Sequence, residues 1–272
     1  AKMGYRVVGA GQKRLEPDKV NNLKNLEDLA QGFEFLGLLI LEDPLRPEVK
    51  RAIKICQEAG MKPVLVTVDN KFTAQTVAKE IGLEVSQENI LEGKELDELS
   101  EKELDERLEN IKVFARVEPK HKIRIVKAWK DKGKVVAMTG DGINDAPALK
   151  AADIGIALGS GAEVAKEAAD LILINDSFEI LIKTIEEGRV ILDNIRKGIT
   201  YVMANSFASA LIVGLAFVLG WPIPILAVQI LWNNIVEDSL PNIAYAFEPK
   251  EKGVMKRRPE KPGVSLLTKE MK

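Results

Sequence analysis

Along residues 35–174, short apolar runs alternate with amphipathic stretches. The runs cover 35–41, 63–68, 112–115, 135–138, 154–158 and 171–174. Each is rich in Val, Ile and Leu and shows no period-two alternation, the pattern of strands buried on both faces of a parallel sheet. Between them, 47–59, 73–81 and 121–130 have helical spacing, and Gly60 and Gly82 close the first two. Strand–helix alternation of this kind predicts an α/β sheet with helices on both faces. Segment 84–110 breaks the rhythm with acidic and polar residues. It is expected to be solvated, with a short surface helix started by the capping-box pair Ser100 and Glu103. Upstream, 5–10 reads as the end of a strand and 15–28 as a polar linker.

From Ile180 the pattern becomes wholly helical. Residues 199–220 are 22 uncharged positions, enough to cross about 30 Å of hydrocarbon at about 1.5 Å per residue. The alternative for this stretch is a buried core helix. Gly220, Trp221, Pro222 and Pro224 then make a reversal, and 223–247 forms a second span interrupted by Asn233, Asn234, Glu237, Asp238 and Pro241. Arg189, Arg196 and Lys197 precede the pair, and Lys250, Lys252, Lys256, Arg257, Arg258 and Lys261 follow it. By the positive-inside rule both flanks are cytoplasmic and the Trp221 turn faces out.

Composition sharpens this division. The chain is 46% hydrophobic and 29% charged, as in an ordinary globular protein, yet residues 198–236 hold no charge at all. A net charge of −2 supplies no basic field, so a nucleic-acid partner is not expected. One cysteine, Cys56, excludes an internal disulfide framework and a multi-thiolate metal site, and one histidine, His121, excludes a His-rich metal centre. The chain opens on Ala-Lys-Met-Gly-Tyr and stops within a charged stretch, so it is expected to be an internal piece of a longer protein.

Candidate chemistry gathers at strand ends. Thr139-Gly140-Asp141-Gly142-Ile143-Asn144-Asp145-Ala146-Pro147 follows an apolar strand and precedes a helix. Asp141 and Asp145 therefore fall where open α/β sheets bind ligands. Paired carboxylates suit Mg²⁺, which keeps most of its waters, and Gly140 and Gly142 let the backbone approach an anion. The bland alternative is a turn made of Asp and Gly. Thr67 and Asp69 end a second strand, and Arg116 with Lys122 follows a third. Lys122 alone reads equally well as a solvated lysine. A hydroxyl, a lysine and paired acids at three strand ends form the set used in Mg²⁺-assisted phosphoryl transfer.

The run TGDGINDAPALK, with FARVEPKHK upstream and DPLRPEV near the start, resembles the cation-transporting P-type ATPases over nearly the whole chain. The resemblance implies a haloacid-dehalogenase-like α/β parallel-sheet domain, incomplete here, followed by a two-helix transmembrane hairpin. It divides the chain into the end of a nucleotide-binding domain and linker (1–30), a partial phosphorylation domain (31–185), stalk and two membrane helices (186–248) and a cytoplasmic loop (249–272). It implies Mg²⁺ at Asp141 with Asp145 in support, and phosphoryl oxygens held by Lys122 and Thr67 with Asn144 a further contact. Asp69 and Arg116 match positions facing ATP, and Asp43 and Arg46 match a hinge-proximal motif. The implied protein is a multi-pass membrane enzyme with its α/β domain in the cytoplasm. It hydrolyses ATP through an aspartyl phosphate and moves a cation, with Ca²⁺ favoured, and its partners are lipid and the remaining domains of the same pump.

Three departures from the family pattern stand out. The nucleophilic Asp-Lys-Thr-Gly-Thr is absent, because neither Asp18-Lys19 nor Asp131-Lys132 continues into Thr-Gly. This fragment alone is therefore expected to be inactive. Val68 stands where the family has glycine, and valine disfavours positive φ. In the membrane, 231–241 resembles the sixth helix of calcium-type pumps, so Asn234, Glu237 and Asp238 match its ion-binding positions, with threonine usual at the second. Asn205 matches a ligand on the fifth helix, but the acid expected three residues later is Ala208. Glu237 is expected to replace that charge. Ionisable groups inside a span cost roughly 2.5–3.5 kcal/mol and mark ion paths, and Pro241 predicts a locally unwound helix with free carbonyls. The alternative is that Glu237 and Asp238 merely end a shorter helix at the interface. Two other functions stay open: a membrane-anchored phosphatase of the same fold, and a non-enzymatic fragment that assembles with a pump.

Overall fold

A computed structural model of the chain describes residues 6–14, 32–41, 45–260 and 263. The 15–28 linker and Asp43 lie outside the described residues. Strand β1 (Arg6–Gln12) pairs antiparallel with β2 (Glu34–Leu41), the register shifting between Ala10 and Gly11. The run 35–41 thus joins a two-stranded ribbon and not a parallel sheet, and it goes with residue 6–12 across the expected boundary at 30. Phe35, Leu36, Leu38, Leu39 and Ile40 are each more than half exposed. Neighbours in a strand point to opposite faces, so both faces of the ribbon are bare among the described residues. An unalternating apolar run signals burial on two faces, but it does not encode the direction of the partner strand.

Helix α1 (Pro47–Glu58) starts on a proline, which suits a first turn. Strand β3 (Leu65–Val66) leads into α2 (Lys71–Glu80), capped by Asn70, whose Oδ1 accepts from the Phe72 and Thr73 amides at 3.0 Å each. Next come β4 (Ile90–Glu92), α3 (Gly93–Glu98), α4 (Glu101–Leu108), β5 (Val113–Ala115) and α5 (Pro119–Asp131). The three strands form a parallel sheet of order β3-β5-β4. Phe114 faces a core of Leu91, Leu96, Leu104, Leu108 and Ile125, whereas Val113 and Ala115 face Ala74, Ala78, Ile81 and Leu83. Alternation along β5 thus puts helices on both faces, as expected.

Segment 84–110 is not merely solvated. It contributes β4 to the sheet, and Leu91, Leu96, Leu104 and Leu108 are fully buried. Its acidic residues cover the outer face of α3 and α4 while leucines spaced four and eight apart reach inward. The Ser100–Glu103 capping box forms as expected, with Ser100 Oγ accepting from the Glu103 amide at 3.3 Å and Glu103 accepting from the Ser100 amide at 2.8 Å.

Strand β6 (Ala137–Gly140), α6 (Ala146–Ala151), β7 (Ile154–Leu158), α7 (Glu163–Ala168) and β8 (Leu171–Leu173) make a second parallel sheet, β6-β7-β8. The single sheet expected from the sequence is therefore two three-stranded sheets. The edges of β3 and β6 are unpaired among the described residues. Helix α5 packs on α6, and Lys130 Nζ donates to the Ala151 carbonyl at 3.0 Å, joining the two halves.

Stalk and first span are one uninterrupted helix, α8 (Phe178–Val218), of 41 residues and about 60 Å. Among the described residues it alone is long and apolar enough to cross a membrane, with a mean hydropathy of 1.8 over its most apolar window and 6% of that window buried. Gly220, at φ +68°, turns the chain. The return comprises α9 (Ala227–Trp232), a π-helical turn (Asn233–Glu237) and α10 (Ser239–Ala246). It runs antiparallel to α8: Asn205 meets Asp238, Tyr201 packs on Tyr245 with centroids 5.8 Å apart, and Asn194 donates to the Glu248 carbonyl at 2.9 Å.

Residues 249–260 then fold back along α8. Lys250 pairs with Glu186 at 2.9 Å, Lys197 with Glu251 at 2.7 Å, Arg196 with Glu260 in a two-pronged contact, and Arg257 with Asp193. Arg189 donates to the carbonyls of Val254, Arg257 and Ala59, each at 2.9 Å, which ties this strap to the end of α1.

Candidate phosphoryl and cation sites

The loop after β6 is organised around Asp145. Its carboxylate, 10% exposed, takes the Lys122 ammonium at 2.5 Å and the Gly142 amide at 3.1 Å. A Cβ on Gly140 would lie 2.5 Å from Asp145 Cβ. The two glycines thus have a different immediate use from the one expected: Gly140 makes room for Asp145, and Gly142 donates to it. The anion at this backbone is the protein's own carboxylate. Asp141 and Asn144 are exposed, and the Asp141 carboxylate makes no hydrogen bond or ion pair among the described residues. As a hard oxygen donor at a strand end it fits Mg²⁺. Asp145, already neutralised by Lys122, fits a supporting place.

The second cluster sits after β3 and β5. Thr67 Oγ1 donates to Asp69 Oδ2 at 2.9 Å and accepts the Asp69 amide at 3.1 Å. The Arg116 amide donates to the Asp69 carbonyl and the Val117 amide to the Thr67 carbonyl, stitching the two loops together. Arg116 adopts φ +50°, and its guanidinium lies 3.7 Å from Glu92. Val68 is 65% exposed, and its φ is not positive. The loop accepts valine because nothing there requires a left-handed residue. No hydrogen bond or ion pair among the described residues joins this cluster to Lys122 and Asp145. Arg46 pairs with Asp176 at 3.5 Å. Hydrogen bonding from Ser160, with the Arg46 charge in support, holds the Asp176 carboxyl below the usual range.

Between α8 and the returning helix, Asn205 Nδ2 donates to Asp238 Oδ1 at 2.7 Å, and Asp238 is 9% exposed. The helix is not unwound, contrary to expectation. It widens into a π turn in which the Asp238 amide bonds the Asn233 carbonyl at 3.0 Å. Proline at 241 cannot donate to the Glu237 carbonyl, and the Tyr201 hydroxyl takes that place at 3.1 Å. Ser239 Oγ donates to the Asn234 carbonyl at 3.3 Å. The side-chain oxygens that face a cation here come from Asp238, Asn205, Asn234 and Glu237, of which Asn234 and Glu237 are exposed. Sequence reasoning missed Tyr201, whose partner lies 36 positions away and leaves no local signal.

A parallel-sheet domain with an acidic strand-end loop, followed by an apolar helix bearing an amide–carboxylate pair, defines the class. Residues 6–153 match the haloacid dehalogenase-like hydrolases, and 222–272 match the C-terminal region of cation-transporting ATPases. The chain belongs to the haloacid dehalogenase-like hydrolases, in their cation-transporting P-type ATPase branch. It is 44% identical over 256 residues to a calcium-transporting ATPase of Bacillus subtilis (strain 168), covering 94% of this chain and 29% of that protein. A calcium-transporting ATPase of Listeria monocytogenes is 47% identical over 254 residues, 93% of this chain and 28% of its own length. A cation-transporting ATPase of Synechocystis is 38% identical over 273 residues, the whole of this chain and 30% of that protein. The chain thus spans less than a third of these relatives.

Proposed function

We propose that the complete protein is an ATP-driven cation pump that works through an aspartyl phosphate. In this reading the present chain holds the Mg²⁺ and phosphoryl side of the phosphorylation domain and two membrane helices. The observation that carries it is the continuity of α8, which joins the sheet bearing Asp141 and Asp145 to Asn205 and its partner Asp238. The nucleophilic aspartate comes from a part of the protein outside this chain. The unpaired edges of β3 and β6 suit one further parallel strand from that part, and the bare β1–β2 ribbon suits the nucleotide-binding domain.

Each site residue then has a role. Lys122 holds a phosphoryl oxygen as a point charge, Thr67 supplies a hydroxyl, and Asn144 an exposed amide. Asp69 and Arg116 face the nucleotide. Asp141 would hold Mg²⁺, with Asp145 in support through Lys122 and Gly142. A bound Mg²⁺ neutralises charge that develops on a transferred phosphoryl group. Asp238, Asn205, Asn234 and Glu237 offer an all-oxygen set, which suits a hard cation. Calcium is favoured because the Bacillus and Listeria relatives carry that name, and Glu237 replaces the charge missing at Ala208. The protein is multi-pass, with its α/β domain on the cytoplasmic side where Arg and Lys cluster.

The test is phosphoenzyme formation by the complete protein with labelled ATP, screening Ca²⁺, Mn²⁺, Na⁺ and pH. Acid-stable label that depends on Ca²⁺ is expected. Absence of label under every condition would overturn the pump and favour a non-enzymatic membrane fragment.

A further inference from the structure

The histidine at 121 has no part in the scheme above, yet its side chain is 4% exposed and both ring nitrogens are engaged. The Glu118 amide donates to Nδ1 at 2.9 Å. The ring proton therefore sits on Nε2, which lies 2.9 Å from Asp97 Oδ1. Glu118 is the N-cap of α5 and His121 its third residue, so Nδ1 satisfies a donor that a helix start leaves over. Asn89 does the same for the Ser86 amide, through Oδ1 at 3.0 Å. The Nε2 contact reaches instead to another element, α3. Gly93 admits both the Arg116 carbonyl and the ring there: a Cβ at that position would overlap that carbonyl and lie 2.9 Å from His121 Cε1 and Nδ1.

We infer that His121 and Asp97 position Lys122. Their contact fixes the first turn of α5 against α3, and that turn delivers the Lys122 ammonium to Asp145. The inference rests on the phosphoryl role proposed for Lys122. It also gives segment 84–110 a use beyond packing, as a brace for the site.

The charged groups around the ring are Asp97 from α3 and, from α5 itself, Glu118 and Lys120. Lys120 lies 3.0 Å from the Asp97 carboxylate and 3.5 Å from that of Glu118. Arg116 is paired with Glu92, and Arg124 is turned to Glu101 and to the Leu96 and Leu99 carbonyls. The Asp97 carboxyl is held below the usual range, first by Lys120 and then by His121.

The experiment uses the complete pump, phosphorylated from inorganic phosphate and Mg²⁺ without the transported cation. Half-saturating phosphate is read at one fixed pH. H121F fills the ring volume without either hydrogen bond, and Asp97→Leu removes the partner of Nε2. Both are expected to raise half-saturating phosphate about tenfold, as a misplaced binding group does. H121N keeps an acceptor for Glu118 but cannot reach Asp97. It is expected to fall between wild type and H121F. Asp97→Leu, at a half-exposed position, covers the case in which H121F does not fold. K122A calibrates the assay. If K122A leaves phosphate affinity unchanged, the phosphoryl reading fails and takes this inference with it. If K122A weakens phosphate while H121F and Asp97→Leu match wild type, only the inference falls. H121N that binds phosphate no better than H121F overturns it as well.

Discussion

Lys122 and Asp145 invite a double-mutant cycle. Each side chain is 10% exposed and they meet at 2.5 Å. Removing one partner of a buried ion pair costs about 3–5 kcal/mol because the other charge is stranded. Lys122→Met leaves the Asp145 carboxylate with the Gly142 amide at 3.1 Å, so the expected loss is near the lower bound, about 3 kcal/mol. Asp145→Ala leaves a buried ammonium without its carboxylate, so the loss is larger, about 4 kcal/mol. The double variant removes both charges and is expected to lose about 4–5 kcal/mol, well short of the sum of the two single losses, a coupling of about 2–3 kcal/mol. Trp129, on α5, reports the transition by fluorescence in denaturant, once Trp221 and Trp232 are changed to Phe. If the single losses add to the double within about 0.5 kcal/mol, the two groups do not act as a pair and the description of the loop is wrong.

Two further outcomes are expected. Glu237→Gln in the complete pump should weaken cation affinity at least tenfold, by loss of the charge that replaces one at position 208; unchanged affinity would show that Glu237 lies outside the ion path. Five carboxyls outside the apolar helices, Asp97, Glu103, Asp153, Asp176 and Glu260, are held below their ordinary values by hydrogen bonds and by basic partners. Depressed carboxyls add stability that is present above about pH 4 and lost as pH falls through their lower folded-state values. The denaturant midpoint of the chain should hold steady from neutral pH to about pH 5 and then drop, and a midpoint that rises on acidification would contradict the assignment.

Strand β5 and the loop after β6 were legible because their signals are local: an unbroken apolar run, and acids spaced around glycines. The long apolar helix α8 was legible from the missing charge. The direction of β2 was not, since the same apolar run serves a parallel or an antiparallel neighbour. Helices α3 and α4 were misread because acidic residues outnumber the leucines that they bury, and a count of polarity hides a one-sided stripe. Val68 looked obstructive only while the loop was assumed to need positive φ. Tyr201 and His121 were invisible for another reason: each gains its meaning from a group on a different element, fixed by packing alone. Glycines at 140 and 93 mark such close approaches, but a sequence does not say what approaches.

The length of α8 bears on how motion crosses the molecule. Its first turn is capped by Ser177, three residues after the apolar run that ends the second sheet. Asn205 lies about 40 Å further along the same axis. No proline interrupts the rod between Phe178 and Val218. A tilt imposed at the sheet is then not absorbed on the way, and swings Asn205 through an arc proportional to that length. A rotation of only about two degrees over about 40 Å moves its amide by somewhat over an ångström, enough, when directed along the contact, to stretch the 2.7 Å bond with Asp238 beyond hydrogen-bonding range. Leverage alone, with no change of local fold, is sufficient to make or break the Asn205–Asp238 pair.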